Sequence, residues 1–377
     1  MGLGEWTPQS QGGYNYKSFI PNPLPPDPPL VIDDTMHALL STADRYFGRL
    51  DMVCELVPDV DFFLLMYMKK EATSSSQIEG TTATLSDVLK AEAEIKDTNR
   101  PEDVSDIINY IKAINYGIDR LKSLPMSLRL IKELHLNLME GVRGEHKAPG
   151  EFRNIQNRIG GRTIETATYV PPPPNKLNDL LGNFEAFLHS DDNIPVLMKA
   201  ALIHSQFELI HPFLDGNGRV GRLLIILYLI MKGILTKPLL YLSDYFLRNR
   251  SDYYSNLNAI SREGDLTRWV KFFLNAVIEI SAESVALSRK IIALKERDIG
   301  KISHLGKTTN NALLLLNNLY REPFINAKLV KDITTLKGPN VYSLINKFIE
   351  LNILVDLTPQ KRKNKIYYYK EYFELFQ

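Results

Sequence analysis

Two apolar stretches, Val196 to Ile210 and Leu223 to Met231, are joined by the polar run His211-Pro212-Phe213-Leu214-Asp215-Gly216-Asn217-Gly218-Arg219-Val220-Gly221-Arg222. That junction constrains the fold more than any other feature. In the first stretch Val196, Ala200, Ile203, Phe207 and Ile210 recur at spacings of four and three, a core-facing helix stripe. Pro212 biases His211 away from α geometry, so this helix ends there with the imidazole at its tip. Gly216-Asn217-Gly218 can take positive-φ conformations that point consecutive backbone N–H groups into one concavity. A second helix starts at once and is apolar all round from Leu223 to Ile230. The run is therefore mounted on a buried helix and rigidly held.

The chemistry gathered there is that of a polyphosphate site. A helix N-terminus presents free N–H groups and a dipole that favours an anion. Arg219 and Arg222 share a face of the first turn, where cations oppose the dipole unless an anion sits between them. Asp215 supplies an oxygen ligand for Mg²⁺, whose other positions phosphate oxygens and water can fill. His211 is the candidate general base, because imidazole is near half-protonated at cellular pH. Each part has a plainer alternative: a histidine before proline that only ends a helix, a turn, a solvated arginine face. Their order makes coincidence improbable. His204, one heptad before His211, is expected to be a hydrogen-bonded core histidine.

Helical patterning begins near Thr35 and continues to about Glu296, so the fold class is mainly α. One helix is expected from Asp61 to Ile78, stopped by Gly80, and another from Pro101 to Leu121. A long helix is expected from Leu266 to about Lys295. Residues 150–174 break the rhythm: Ile155 to Ile159 and Thr163 to Val170 flank Gly160-Gly161-Arg162, a hairpin signature. Pro171 to Pro174 end it. The N-terminal arm, through Pro21 to Pro29, reads as extended chain, either a tail or an arm packed over another part.

Composition excludes several function classes. The net charge of +1 asks for neither nucleic acid nor acidic lipid at the level of the whole chain. The single cysteine, Cys54, rules out an intramolecular disulfide and points to a reducing compartment, so a cytoplasmic protein is expected. Neither a signal segment nor an apolar run long enough to cross a bilayer is found, so no membrane partner is expected.

Residues 211–222 match every defined position of the Fic signature, His-Pro-Phe-x-(Asp/Glu)-Gly-Asn-Gly-Arg-x-x-Arg. The likeness extends from the Tyr16-Lys17 arm to about residue 280 and includes Gly150-Glu151-Phe152-Arg153. The chain resembles the Fic (Fic/DOC) family, whose members typically transfer AMP from ATP to a Tyr, Thr or Ser hydroxyl of a target protein. The resemblance implies a Fic-type helical bundle with a small β-hairpin flap. It implies that His211 deprotonates the target hydroxyl and that Asp215 holds Mg²⁺. It further implies that Gly216, Asn217, Gly218, Arg219, Val220, Gly221 and Arg222 surround the phosphates, with Arg222 on the γ-phosphate. Tyr254, rather than its neighbour Tyr253, is the expected adenine contact. Ser75-Ser76-Gln77-Ile78-Glu79-Gly80 matches the family's inhibitory pattern, (Ser/Thr)-x-x-x-Glu-(Gly/Asn), with Ser75, Glu79 and Gly80 at its defined positions. The implication is that Glu79 pairs with Arg222 at rest and withholds it from ATP.

Beyond Gly300, three short helices (309–320, 327–336 and 340–352), two strand-like runs and the basic turn Lys361-Arg362-Lys363-Asn364-Lys365 outline a winged helix-turn-helix. The chain thus divides into an N-terminal arm and helical region (1–100), a catalytic core (101–299) and a winged-helix-like part (300–377). Tyr342, Leu344, Ile345, Phe348 and Leu351 leave few polar groups on the third helix to read bases. Protein docking or dimerisation is accordingly preferred to DNA binding there, and a homodimer is possible. Three functions compete: an autoinhibited protein adenylyltransferase, a Fic enzyme that removes AMP or transfers another nucleotide, and a nucleotide-sensing DNA-binding regulator.

Overall fold

The computed structural model describes residues 3–56, 61–93, 101, 103–141 and 146–377. The chain opens with a hairpin, β1 (Gly4–Gln11) and β2 (Tyr14–Pro21), paired antiparallel throughout. Its two-residue turn is Gly12-Gly13, both at positive φ. The mirror-image turn that suits a twisted hairpin requires such glycines. The arm is packed rather than loose: Trp6 Nε1 donates to Ser261 O at 2.9 Å, and Asn183 exchanges two 2.8 Å hydrogen bonds with the backbone of Leu24. The strands were not foreseen from the sequence, although Gly12-Gly13 carried the signal.

Helices then follow one another: α1 (Asp34–Leu56), α2 (Asp61–Ile78), α3 (Leu85–Glu92), α4 (Val104–Arg120) and α5 (Leu128–Met139). The α2 bounds are those expected. Gly80, at φ +98°, ends the helix while the N–H groups of Gly80 and Thr81 bond back to Gln77 and Ser76. The helix expected from Pro101 starts at Val104, and residue 102 lies outside those described. The side chain of Cys54 likewise lies outside the described residues.

The centre of the molecule is α6 (Leu177–His189), α7 (Val196–Ile210) and α8 (Asn217–Met231). Helix α7 is buried nearly all round rather than along one stripe. This is what a helix enclosed by others requires. Next come α9 (Ser243–Arg248), α10 (Arg250–Glu263) and α11 (Leu266–Ile302). Helix α11 runs seven residues beyond the expected end, through the boundary placed near residue 300. Its first turn is capped by the Asp265 side chain on the N–H of Arg268.

The C-terminal part comprises α12 (Thr309–Leu319), β3 (Phe324–Asn326), α13 (Ala327–Ile333), α14 (Pro339–Glu350), β4 (Val355–Asp356), β5 (Ile366–Tyr368) and α15 (Lys370–Glu374). Its sheet has three strands in the order β3-β5-β4, one more than expected. This part sits against α2 and α11: the rings of Tyr67 and Phe376 meet edge-on at 5.4 Å, and Tyr369 donates to the buried Asp298.

The expected flap hairpin is not a ladder. Residues 155–170 form a loop with one antiparallel bridge, Ile159 to Tyr169, and both Gly160 and Gly161 at φ +68°. Thr163 and Thr166 bond to each other inside the loop, and this local turn replaces cross-strand pairing. From behind, Phe19 of β2 donates its N–H to Val170 O at 2.9 Å, and Trp6, Phe19 and Tyr169 form a ring cluster. The unforeseen N-terminal hairpin thus supports the flap.

Candidate active site

Helix α7 ends at Ile210 as the sequence predicts, and His211 takes the left-handed region at φ +50°. Such a conformation is strained for a residue with a side chain and persists where its surroundings enforce it. Arg153 does so. Its Nε donates to His211 O at 2.9 Å, its Nη2 to Pro172 O at 2.6 Å, and its backbone N–H to Pro212 O at 2.9 Å. The guanidinium is buried and donates to the carbonyls of His211, Ile155, Pro172 and Ile210, and burial lowers its pKa to about 10. The family likeness had flagged Arg153 without a role; the fold makes it the clamp on the turn that carries His211.

The imidazole Nδ1 lies 3.3 Å from Glu208 O. A carbonyl only accepts, so this bond places the proton on Nδ1 and leaves the Nε2 lone pair open. Burial, then the charge of Arg153, lowers the His211 pKa to about 4. The ring is neutral at cellular pH and available to take a proton. Three residues earlier, burial raises the Glu208 carboxyl to about 8, and its Oε1 has no hydrogen-bond partner.

Between the two helices the loop is locked. Asn217 accepts from Phe213 N–H at 2.8 Å and donates to Phe213 O at 2.9 Å. His135 stacks on Phe213 at 3.8 Å, accepts from Gly150 N–H at 2.8 Å and reaches Asp215 O at 3.0 Å. Burial lowers the His135 pKa to about 4, so it is a neutral strut. Neither His135 nor Glu208 was singled out from sequence, since nothing local marks them.

Only Gly216 of the expected three-residue nest has positive φ, at +75°. Asn217 and Gly218 already belong to α8, which no side chain caps. Its first-turn N–H groups are thus left for an anion. The Asn217 side chain is a loop clamp rather than a free ligand. Val220 is a core residue whose N–H bonds to Gly216 O, so neither its side chain nor its N–H is open to a nucleotide. Gly221 is a packing position: a Cβ there would collide with Glu208 Oε1 and crowd His204. Of the seven residues expected around the phosphates, Val220 and Gly221 thus face the core, which leaves Gly216, the backbone of Asn217, Gly218, Arg219 and Arg222 as candidates.

Gly218 has a second use. A Cβ there would collide with Glu79 Oε1, so the glycine admits a carboxylate against the first turn of α8. Glu79 Oε1 is also 2.8 Å from Arg222 Nη2. Ser75 completes the grip: Oγ accepts from Arg222 Nε at 2.8 Å and the carbonyl from Nη2 at 2.9 Å. Burial alone would raise the Glu79 pKa, but the charge and hydrogen bond of Arg222, then Arg219 and His211, bring it below the usual carboxylate value. The same pairing outweighs the burial of Arg222 and holds its guanidinium charged. Arg222 is 1% exposed in its side chain and Glu79 is 37% exposed, so the pair is open on the carboxylate side. Arg219 faces Asp106 at 3.8 Å and Met139 Sδ at 3.5 Å.

Asp215 is exposed and spends Oδ1 on Gly216 N–H at 2.6 Å. Among the described residues no three His, Cys, Asp or Glu side chains converge as a metal cage. A single exposed carboxylate fits a Mg²⁺ ion that arrives with a nucleotide and fails as a free-standing site. Tyr253 is buried with its hydroxyl 2.9 Å from His204 Nε2, so both belong to the core as expected. Tyr254 is 36% exposed and lines a 270 Å³ cleft with Ile159, Thr168, Tyr169, Glu208 and Arg250. Its hydroxyl lies 3.5 Å from Ile78 O, at the end of α2.

Among the described residues no helix is long and apolar enough to cross a membrane. Residues 37–119 match the family model described as Fic/DOC family N-terminal, and residues 125–229 match that described as Fic/DOC family. The chain is 32% identical over 201 residues to the protein adenylyltransferase Fic of Drosophila grimshawi, covering 52% of this chain and 38% of that protein. It is 31% identical over 201 residues to a probable protein adenylyltransferase of Aquifex aeolicus (strain VF5), covering 52% of this chain and 55% of that one. The chain therefore spans about half, or less, of these relatives' length. The crystal structure of a Fic family protein from Desulfovibrio desulfuricans G20 superimposes with a TM-score of 0.58 at 20% identity, covering 90% of this chain and 97% of that one. With the full signature at residues 211–222, both regions matched and the fold shared, the chain belongs to the Fic/DOC family.

Proposed function

We propose that this protein is an adenylyltransferase held off at rest, which transfers AMP from ATP to a hydroxyl of a target protein and of itself. The observation that carries the reading is the position of Glu79. Its carboxylate lies against the free first turn of α8 and on Arg222, where a terminal phosphate would need both.

In this reading His211 Nε2 takes the proton of a Tyr, Thr or Ser hydroxyl as that oxygen bonds to the α-phosphorus. The bond from phosphorus to the bridging oxygen breaks and pyrophosphate leaves. Little covalent work falls to the protein, so orientation and charge dominate. Arg153 and Asn217 hold His211 and the loop, and the N-terminus of α8 with Arg219 and Arg222 balances phosphate charge. Bound Mg²⁺ would supply further neutralisation of the phosphates, with Asp215 as its protein ligand. Tyr254 offers a ring face to the base at the cleft, and the unpaired edge of the flap offers main-chain hydrogen bonds to a target segment.

The test is self-labelling from ATP carrying label at the α-phosphate. Glu79→Gly is expected to label at least tenfold faster than the wild type, and His211→Ala in that background to lose labelling by on the order of 10³. Equal labelling of wild type and Glu79→Gly removes the autoinhibition. Free AMP or another nucleotide adduct as the product, read by mass spectrometry, replaces the transfer with the hydrolytic or alternative-nucleotide reaction.

A further inference from the structure

The C-terminal part carries a surface that the catalytic reading leaves unused. Between Phe324 and Tyr369 there are eight Lys or Arg against three Asp or Glu, in a chain whose net charge is +1. The positive charge of an otherwise net-negative protein is concentrated there. Helix α14 is sorted into two faces. Val341, Leu344, Ile345 and Phe348 are buried, while Asn340, Tyr342, Ser343 and Asn346 face solvent. Tyr342 is 55% exposed. Of the five residues expected to leave this helix few polar groups, Leu344, Ile345 and Phe348 turn inward, while Tyr342 faces outward beside Asn340, Ser343 and Asn346, which are spaced by three along one stripe.

Beside this helix the β4–β5 ladder continues through Leu357 N–H to Ile366 O at 2.8 Å, and the turn beyond it holds Lys361, Arg362 and Lys363 in solvent. Lys365 is paired with Asp356 at 2.6 Å. None of the other three has a carboxylate partner among the described residues. A groove of 470 Å³ separates this turn from Tyr342 and Lys328.

We propose that this surface binds double-stranded DNA, with the polar stripe of α14 in the major groove and Lys361, Arg362 and Lys363 on the flanking phosphates. Hydrogen-bonding side chains on an outward helix beside unpaired cations match a duplex, which offers base edges within reach of its phosphates. Single strands call for several stacked aromatic rings, and Tyr342 is the one exposed ring on this helix. A protein partner calls for an apolar centre, which the stripe lacks.

The experiment is fluorescence anisotropy of the full chain with a labelled mixed-sequence duplex of about 30 base pairs, across roughly 50–200 mM salt. The expected result is binding that weakens with salt. The combined Lys361→Ala, Arg362→Ala, Lys363→Ala variant should bind at least tenfold more weakly at the lowest salt. Its log–log salt slope should be shallower by about 3. All three side chains are exposed, so an unchanged melting temperature certifies the variant's fold. His211→Ala is expected to bind DNA as the wild type does, which separates this surface from the catalytic reading. Absence of binding at the lowest salt, or the same slope in the triple variant, overturns the proposal. Equal competition by a polyglutamate peptide of matched charge overturns it in favour of an acidic protein partner.

Discussion

The loop that carries His211 and the flap beside it are built in opposite ways. In the first, Asn217 closes on Phe213 through two hydrogen bonds, His135 stacks beneath, and Arg153 holds His211 by its carbonyl. In the second, a single bridge at Ile159 and Tyr169 is the only cross-pairing among residues 155–170, and the tip bonds to itself. Groups that meet reacting atoms gain rate from fixed geometry, because orientation need not be found during each turnover. A segment meant to receive another chain keeps its N–H and C=O groups unspent. The contrast teaches where change should cost chemistry and where it should cost only recognition.

Arg153→Met strikes the rigid side hardest. Four carbonyls, those of Ile155, Pro172, Ile210 and His211, lose a charged donor, so stability is expected to fall by about 3 kcal/mol in urea unfolding. Labelling in the Glu79→Gly background is expected to fall on the order of 100-fold, with ATP affinity nearly kept. A loss confined to stability would mean that the clamp serves the fold alone.

The pH profile is the next largest effect. His211 must be neutral to accept a proton, and its pKa is lowered from 6.5 to about 4. Its working form therefore persists as pH falls from 8 to about 5, and the rate drops tenfold for each unit below about 4. A single-turnover profile with its inflection near 6.5 would show an imidazole as solvated as the flap, and the contrast would vanish.

The smallest effect belongs to the flap. Gly161 sits at φ +68° and a Cβ there would strike Thr166 O, so Gly161→Val distorts the tip at a cost of about 1–2 kcal/mol. The expectation is a several-fold rise in KM for the protein target with unchanged ATP binding by calorimetry. A fall in kcat of the same size would show that the flap also orders the reacting groups.

Much of this was legible along the chain because the signals are local. Pro212 stops α7 at Ile210, Gly80 stops α2 at Ile78, and the apolar residues after Arg222 bury α8. Other expectations failed for equally physical reasons. The flap has the glycines of a hairpin, but its threonines satisfy one another, so the ladder does not form. Val220 and Gly221 lie within the signature, yet helical phase turns them to the core side of α8. Tyr342 sits among apolar neighbours in sequence and outside them on the helix.

By itself the sequence determined the mainly helical class, the ends of α2 and α7, the position of the glycine turn that opens α8 and the residue types gathered at it. Each follows from backbone preferences and charge within a few neighbouring positions. Tertiary structure alone decided that Arg153 grips His211, that His135 braces Asp215, and that the N-terminal hairpin supports the flap. Those pairings join segments 50 residues or more apart, or, for His135, a separate helix 80 residues away. No local preference encodes them, because they exist only once burial has brought unpaired carbonyls and donors to the same place.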